Sequence, residues 1–443
     1  MAAEADRSAP PRFWPQAISN SVWLSADRMV RGAFSLAVLI GIGRFLGPEL
    51  YGLYSYAIAF VAIFAAFGSL SHDGILIREL IRGNRPPEAT LGSAFLLRAV
   101  GGLVGMAGAI LAAGLLPGAR AEAALVGIIA VGLLFQPFDV VDHWFQSRLQ
   151  SRCAVLVRIG ASLLVGSCKI ALAWHRAALP ALAWMSVAEA LLVALGLLAA
   201  YRGQPGRPAR WRIDRTEIRI LFRDSAPMAA TTLLVLLFMK LDQIMLAAFL
   251  GFRELGVYAA AVRLVDLWNF IPLAVMPSLY PAVVALRKRD EARYGQFLRR
   301  LLAVFYLLSL AVVLVNALAG RALLGLLFGP EYVAAAPALA LLSVSAVFHY
   351  SSYIRAQWML VEHRVVYHLW SAGIGVAALA GLNAALIPRF GFVGAATATA
   401  IGYGISAYGT SLLFRALRPF GRLQTRTFLF QWRHILKDDG AST

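Results

Sequence analysis

The chain has 443 residues, of which 60% are apolar and 14% charged, with mean hydropathy +0.70 and a formal net charge of +18. So little polar surface excludes a soluble globule of this length. The basic surplus does not indicate a nucleic-acid partner, because it is dispersed along the chain in the gaps between apolar stretches.

A membrane helix needs about 20 apolar residues. Twelve such spans are predicted in chain order: roughly 19–43, 51–72, 91–116, 123–145, 155–174, 179–200, 227–250, 255–280, 301–319, 336–359, 365–387 and 393–414. Of the 41 Lys and Arg residues, 28 fall in the two tails, in the even-numbered gaps or at span ends beside them. Only Arg44, Arg120, Arg176, Arg253, Arg321 and Arg389 occupy the odd-numbered gaps. Basic residues stay on the side of insertion, so a multi-pass protein with both termini cytoplasmic is expected.

The expected fold class is therefore an all-α integral membrane protein of about twelve helices in two pseudo-symmetric six-helix lobes around a central cavity. The longest hydrophilic stretch runs only from about Arg202 to Asp224, leaving no room for a soluble domain. The amino terminus carries acids and Pro10–Pro11, unlike a cleavable signal peptide. Two basic segments, Arg207–Arg219 with Trp211 and Phe428–Lys437 with Trp432, suit interfacial helices against anionic lipid headgroups. Neither Cys153 nor Cys168 is expected in a disulfide, and no metal-ligand spacing occurs among the seven His.

The sequence is also internally repeated. Leu46-Gly47-Pro48-Glu49-Leu50-Tyr51-Gly52-Leu53-Tyr54 returns 204 residues later as Leu250-Gly251-Phe252-Arg253-Glu254-Leu255-Gly256-Val257-Tyr258. The same offset pairs Asn20-Ser21 with Asp224-Ser225. A shift of six spans preserves orientation, which implies a pseudo-two-fold along the membrane normal. The expected division is an amino-terminal lobe at 1–201, a cytoplasmic basic linker at 202–224, a carboxy-terminal lobe at 225–418 and an amphipathic tail at 419–443.

Charges inside the spans are the candidate functional groups. The cations are Arg28, Arg31, Arg98, Lys169, Lys240, Arg263 and Arg355; the acids at comparable depth are Asp27, Asp139, Asp142, Glu189, Asp242 and Asp266, with Asp73 at a cytoplasmic helix end. Each ionised group at mid-bilayer costs about 2.5–3.5 kcal/mol even on the lenient insertion scale. Such groups must be paired, at the edges, or lining a hydrated cavity. Asp27 lies four residues before Arg31, on the same helix face, and Arg28 is three before it. Arg98 is placed either to snorkel or to face inward. Lys169 falls near a span end, where a peripheral place is expected. Lys240 and Asp242 do not share a face, so each needs a partner elsewhere, whereas Arg263 and Asp266 can pair locally. Glu189 lacks a neighbour in sequence and suits either a neutral carboxyl or a proton carrier. The carboxylates 73, 139 and 142 read as a cluster near the cytoplasmic helix ends. Pro137, Pro272, Pro277 and Pro281 favour kinks.

Several stretches taken in order resemble the polysaccharide transporter, or Wzx-type, lipid-linked oligosaccharide flippases of the multidrug/oligosaccharidyl-lipid/polysaccharide superfamily. They are Arg44-Phe45-Leu46-Gly47-Pro48-Glu49, Asp73-Gly74-Ile75 with Arg78-Glu79-Leu80, Phe135-Gln136-Pro137-Phe138-Asp139 with Trp144-Phe145-Gln146, Lys240-Leu241-Asp242-Gln243, Phe328-Gly329-Pro330-Glu331-Tyr332 and Pro388-Arg389-Phe390-Gly391-Phe392. The resemblance implies two six-helix bundles with an alternately accessible cavity, and no cofactor. It also implies a polyprenyl-pyrophosphate-linked oligosaccharide as substrate, moved across the bacterial inner membrane under an ion gradient of H+ or Na+, with a polysaccharide polymerase or ligase as further partner. Carried onto this chain, Arg28, Arg31, Arg98, Lys240, Arg263 and Arg355 would hold pyrophosphate or acidic sugar. Asp27, Glu189, Asp242 or Asp266 would be the coupling carboxylates. The rival readings are a drug or metabolite:cation antiporter of the same superfamily and, from another class, a membrane-embedded glycan-modifying enzyme. Short odd-numbered gaps and isolated His72 and His349 speak against the enzyme.

Overall fold

The computed structural model describes residues 13–70, 72–115, 120–208 and 210–429. Every regular element among them is helical. In chain order these are α1 (Phe13–Ala65), α2 (Asp73–Arg82), α3 (Pro87–Gly114), α4 (Arg120–Val131), α5 (Asp139–Ser147), α6 (Ser151–Trp174), α7 (Leu179–Arg202), α8 (Arg215–Leu250), α9 (Phe252–Arg289), α10 (Glu291–Leu327), α11 (Ala336–Val361), α12 (Val366–Tyr403), α13 (Thr410–Leu413) and α14 (Arg418–Phe428). Short 3-10 segments lie at Ala66–Leu70, Gly132–Phe138 and Pro330–Ala335, and a π-helical segment at Gly404–Gly409.

Nine helical stretches among the described residues are long and apolar enough to cross a bilayer. Their outward faces confirm the solvent they are built for: on α10, Leu318 is 77% and Leu326 71% exposed. Such leucines would be a liability in water but cost nothing against acyl chains. The twelve spans read from the sequence are not twelve separate rods. α1 is interrupted at Gly47 and α12 at Gly391, and each continues as helix beyond the break.

The chain divides into two compact units. The first comprises Met1–Leu39 and Phe60–Thr232, the second Ile40–Ala59 and Leu233–Thr443. In the first, α3 is the packing axis. Because lipid is as apolar as leucine, helix association relies on close fit and small residues. A Cβ on Gly101 would stand 2.1 Å from the Phe67 carbonyl oxygen, and one on Gly105 2.6 Å from that of Phe64. A Cβ on Gly102 would come within 2.6 Å of the Leu133 carbonyl oxygen. Two 3-10 segments thus lie directly on α3, one helical turn beyond Arg98. The rest of this core gathers Leu91, Trp144, Phe145 and Tyr201.

The basic linker departs from the interfacial helix expected of it. Of the expected helix Arg207–Arg219 only the part from Arg215 is helical, as the start of α8; Gly203, Pro205, Gly206 and Pro208 break the chain ahead of it. The segment instead docks on the start of α3: Arg212 N donates to Glu88 O at 3.0 Å and Asp214 N to Ser93 Oγ at 3.1 Å. Trp211 packs on Phe95 and donates its indole N–H to Tyr201 Oη at 3.1 Å. Buried Glu217 pairs with Arg85 at 2.8 Å. The predicted tail begins as the amphipathic helix α14, whose Phe420, Gln424 and Thr427 are buried; Phe430, Trp432, Arg433 and Lys437 lie outside the described residues.

Asp214 Oδ1 accepts from Thr216 N at 2.7 Å and Glu217 N at 3.2 Å, at the start of α8. These backbone bonds hold its carboxyl below the ordinary range. A depressed folded pKa means the cap stabilises above the unfolded value and is lost as pH falls through the folded one. Asp214→Ala should therefore accelerate hydrogen exchange at Thr216 and Glu217 at neutral pH. Unchanged exchange would show that the cap holds nothing.

In the second unit the two copies of the repeated motif adopt one backbone conformation. Gly47 has φ 77° and ψ 172°, Gly251 φ 86° and ψ −177°, a region open essentially to glycine alone. The copies also touch: a Cβ on Gly52 would lie 1.8 Å from the Phe252 carbonyl oxygen, and one on Gly256 1.8 Å from that of Pro48. Beside them Tyr51, Phe328 and Tyr332 form an aromatic cluster, and Tyr332 Oη donates to Gly43 O at 2.7 Å. The other two dipeptides related by the same offset, Asn20-Ser21 and Asp224-Ser225, lie in the first unit and make different contacts. Asn20 Oδ1 accepts from Ser151 N at 2.9 Å at the start of α6, while Ser225 Oγ accepts from His72 N at 3.0 Å just before α2.

Candidate functional site

Four spans of the first unit converge on a polar cavity of about 450 Å³. α1 contributes Asp27, Arg28 and Arg31, α3 contributes Arg98, α5 contributes Asp139, Asp142 and His143, and α6 contributes Arg158. Pro137 makes this possible. It sits in the 3-10 segment Gly132–Phe138, and the altered winding there precedes a short α5 that presents Asp139, Asp142 and His143 to the cavity.

A chain of ion pairs lines it. Asp27, only 3% exposed, takes both Arg31 Nε at 2.6 Å and Arg31 Nη2 at 2.9 Å. The predicted pairing along one face of α1 is thus present. Arg158 Nε lies 3.6 Å from Asp27 Oδ2, and its Nη1 donates to Asp142 Oδ2 at 2.8 Å. Gln146 Nε2 donates to the same Asp142 oxygen at 2.9 Å. Across the cavity Arg98 Nη2 meets Asp73 Oδ1 at 2.5 Å, and His143 Nε2 is 3.0 Å from that oxygen. Arg98 is buried; of the two placements open to it, the structure has the inward one.

Two groups stand outside this network. Arg28 is exposed to the cavity and makes no ion pair among the described residues; Asp139 has none either. Asp139 also faces an adjoining cavity of about 260 Å³, together with Arg31, Arg158 and Glu189. Glu189 does have a partner: Lys169 Nζ lies 3.2 Å away on the neighbouring helix, 20 residues earlier. Lys169 is correspondingly buried rather than peripheral.

The carboxylates 73, 139 and 142 are therefore not segregated from the cations. They share one wall with Arg28, Arg31, Arg98 and Arg158, four acids counting Asp27 against four guanidinium groups. Arg158, Gln136 and His143 line the cavity too and are not among the candidate site residues read from the sequence, where Gln136 enters only within a motif. Arg158 stands close to a span end and was counted among the border cations, although its spacing of 16 from Asp142 bridges one helix hairpin.

The remaining predicted site residues belong to the second unit. Lys240, Asp242 and Asp266 line a small pocket of about 50 Å³ with Asn269, His349 and Tyr403. Asp242 Oδ2 accepts from Tyr258 Oη at 2.5 Å and Thr399 Oγ1 at 3.4 Å, and its Oδ1 from Gln243 N at 2.8 Å. Arg263 and Asp266 face each other at 3.5 Å, as their spacing predicts. Lys240 makes no ion pair among the described residues. Arg355 is not in this pocket. It is fully buried on α11, where Nη1 donates to Thr410 Oγ1 at 2.8 Å and Ser411 Oγ at 3.3 Å.

Comparison with known proteins agrees with this architecture. Among curated relatives, the chain is 29% identical over 181 residues to a protein named probable flippase AglR from Haloferax volcanii, covering 40% of this chain and 37% of that one. It is 25% identical over 243 residues to an uncharacterized membrane protein of Methanocaldococcus jannaschii, covering 52% and 46%. The chain thus spans less than half the length of the curated relatives it matches. Solved structures share the fold, two of them as follows. One is the lipid II flippase MurJ in an inward closed conformation, with TM-score 0.70, 11% identity and coverage of 96% of this chain and 94% of that one. The other is an inward-facing multidrug resistance MATE family transporter of the MOP superfamily, with TM-score 0.68, 15% identity and coverage of 94% and 99%. Residues 42–337, most of the sequence, match the family described as polysaccharide biosynthesis protein. This match establishes that the chain belongs to the polysaccharide biosynthesis protein family.

Proposed function

We propose that the protein is a flippase that moves a polyprenyl-pyrophosphate-linked oligosaccharide across the bacterial inner membrane by alternating access, for O-antigen, capsule or exopolysaccharide synthesis. The observation that carries this reading is the arginine-lined cavity of the first unit. Three of its guanidinium groups already hold carboxylates, which fixes their positions, while Arg28 is left to an incoming anion. Guanidinium forks present paired donors to phosphate oxygens, and a substrate phosphate can displace or join the resident carboxylates.

In this reading both termini are cytoplasmic, and the two lobes are 1–201 and 225–418, joined by the linker 202–224. Arg28, Arg31 and Arg98, with Arg158, engage the pyrophosphate, and Lys240 and Arg263 engage anionic sugar. Asp27, Glu189, Asp242 and Asp266 are the candidates for coupling to H+ or Na+. Asp242, held by a tyrosine and a threonine hydroxyl, has the neutral-donor surroundings that suit a carboxyl changing its protonation or ion state.

Arg31→Ala and Lys240→Ala should each abolish surface glycan while leaving membrane insertion intact. Lipid-linked oligosaccharide should accumulate on the inner leaflet. Normal glycan display in both variants would count decisively against the carrier reading. A cation-coupled antiporter of a small organic molecule is the second reading, favoured by the equal share of carboxylates in the cavity wall. It predicts no accumulated lipid-linked intermediate in the deletion strain.

A further inference from the structure

His143, on α5, presents both of its ring nitrogens to oxygen acceptors. Nε2 lies 3.0 Å from Asp73 Oδ1, and Nδ1 lies 2.5 Å from the backbone carbonyl oxygen of Asp139. A carbonyl oxygen can only accept. Asp73 Oδ1 also takes Arg98 Nη2 at 2.5 Å, so that oxygen belongs to an ionised carboxylate and not to a hydroxyl. A neutral imidazole has one N–H, and its other nitrogen offers only a lone pair. In either neutral tautomer one of the two contacts would set lone pair against lone pair. The imidazolium, with a proton on each nitrogen, donates to both oxygens.

The surroundings suit a charge that comes and goes. The His143 side chain is 6% exposed, so an imidazolium there depends on the two acceptors it has. Its partner Asp73 is 64% exposed, an open carboxylate beside which water can exchange the proton. The other charged or titratable groups around the ring are His72 ahead of α2, Arg98 on α3, Asp139 and Asp142 on α5 and Arg158 on α6, with Asp27, Arg28 and Arg31 contributed by α1. Without the histidine the cavity wall is balanced: Asp27, Asp73, Asp139 and Asp142 against Arg28, Arg31, Arg98 and Arg158. Histidine is the side chain that ordinarily changes charge near neutral pH. One proton on His143 therefore decides whether the wall is neutral or positive.

We infer that His143 is a proton-binding residue of this cavity, distinct from the four carboxylates proposed for coupling. Protonated, it shares Asp73 with Arg98 and leaves the wall one surplus positive charge. Deprotonated, it gives up one of its two contacts, and the surplus is gone. An anion in the cavity and a proton on His143 thus favour one another, and the effect is reciprocal. That this anion is a substrate pyrophosphate rests on the flippase reading; the proton site rests on the two contacts of the ring.

The test uses the full chain, isotope-labelled in its histidine ring nitrogens and held in a neutral detergent. Nitrogen NMR is recorded at about pH 5.5, about pH 6.5 and about pH 8, on both sides of the ordinary histidine value. A ring with two protonated nitrogens is expected at the lower values, losing one proton as pH rises, and its signal should be missing from His143→Gln. Asp73→Asn keeps the ring and removes the carboxylate, so the two-proton signal should be lost at about pH 6.5; this arm stands even if His143→Gln does not fold. Sulfate, whose charge is constant over this range, is titrated in parallel by calorimetry. The wild type should bind it about fivefold or more tightly at the lowest pH than at the highest, and His143→Gln equally at both. A His143 ring with a single proton at every pH overturns the inference, as does a pH dependence of sulfate binding that His143→Gln leaves undiminished. Sulfate binding at no pH, with the two-proton ring present, would uphold the proton site while removing its effect on anions and the support that the cavity lends the flippase reading.

Discussion

Arg158→Ala should be the most damaging single substitution in the first unit, lowering stability by about 3–5 kcal/mol, the usual loss when one partner of a buried ion pair is removed. Arg158 sits between two carboxylates that are almost wholly sequestered, Asp27 and Asp142, at 3.6 and 2.8 Å. Without it Asp142 keeps only the amide of Gln146. Thermal unfolding in detergent should show the drop. Arg158→Lys should recover only part of it, because an ammonium is a point charge and cannot reach both acids with fixed geometry. The double variant Arg158→Ala/Asp142→Asn should be more stable than Arg158→Ala alone, since the stranded charge is gone. A melt indistinguishable from wild type for Arg158→Ala would mean that the carboxylates are hydrated and the network is not a structural unit.

The glycine contact within the second unit gives the second large effect. Gly52→Ala places a methyl group 1.8 Å from a backbone carbonyl oxygen, a separation no rotamer change can relieve. The helices must part by more than 1 Å, and overpacking of this kind costs about 1–3 kcal/mol or more. Gly256→Ala meets the Pro48 carbonyl at the same distance and should behave alike. Gly32→Ala is the control. Nothing lies within 4 Å of its would-be Cβ, and it sits inside α1. Alanine is the better helix former by roughly 1 kcal/mol, so that variant should fold as well as wild type or better. Comparison of folded yield and melting temperature across the three separates a steric seam from a general intolerance of change. Equal behaviour of Gly52→Ala and Gly32→Ala would dismiss the seam.

The candidate site was legible in part. Asp27 with Arg31, and Arg263 with Asp266, follow from helical spacing alone, because residues three or four apart must share a face. Lys169 with Glu189, Arg98 with Asp73, and Arg158 with Asp142 join different helices or different ends of a hairpin. Span position suggested a peripheral Lys169 and left Arg98 between lipid edge and interior. Depth along one helix does not say which way a side chain turns when a neighbour offers a carboxylate. The non-helical start of the linker has a local cause in the sequence, Gly203, Pro205, Gly206 and Pro208, but its docking on α3 through Arg212, Asp214 and Trp211 has none.

By itself, the sequence determined that this chain lives in a membrane as a helical, internally repeated protein. Apolar runs of spanning length, alternating basic gaps and a motif recurring at 204 residues are one-dimensional properties, and lipid admits almost no other backbone solution to them. Tertiary structure alone decided where charges from different helices meet. The glycine face of α3 lets two 3-10 segments approach it, and the turn at Pro137 brings Asp139, Asp142 and His143 to Arg98 and Arg158. Those placements depend on sub-ångström packing between segments distant in the chain, where a burial cost is set by the neighbour and not by the residue.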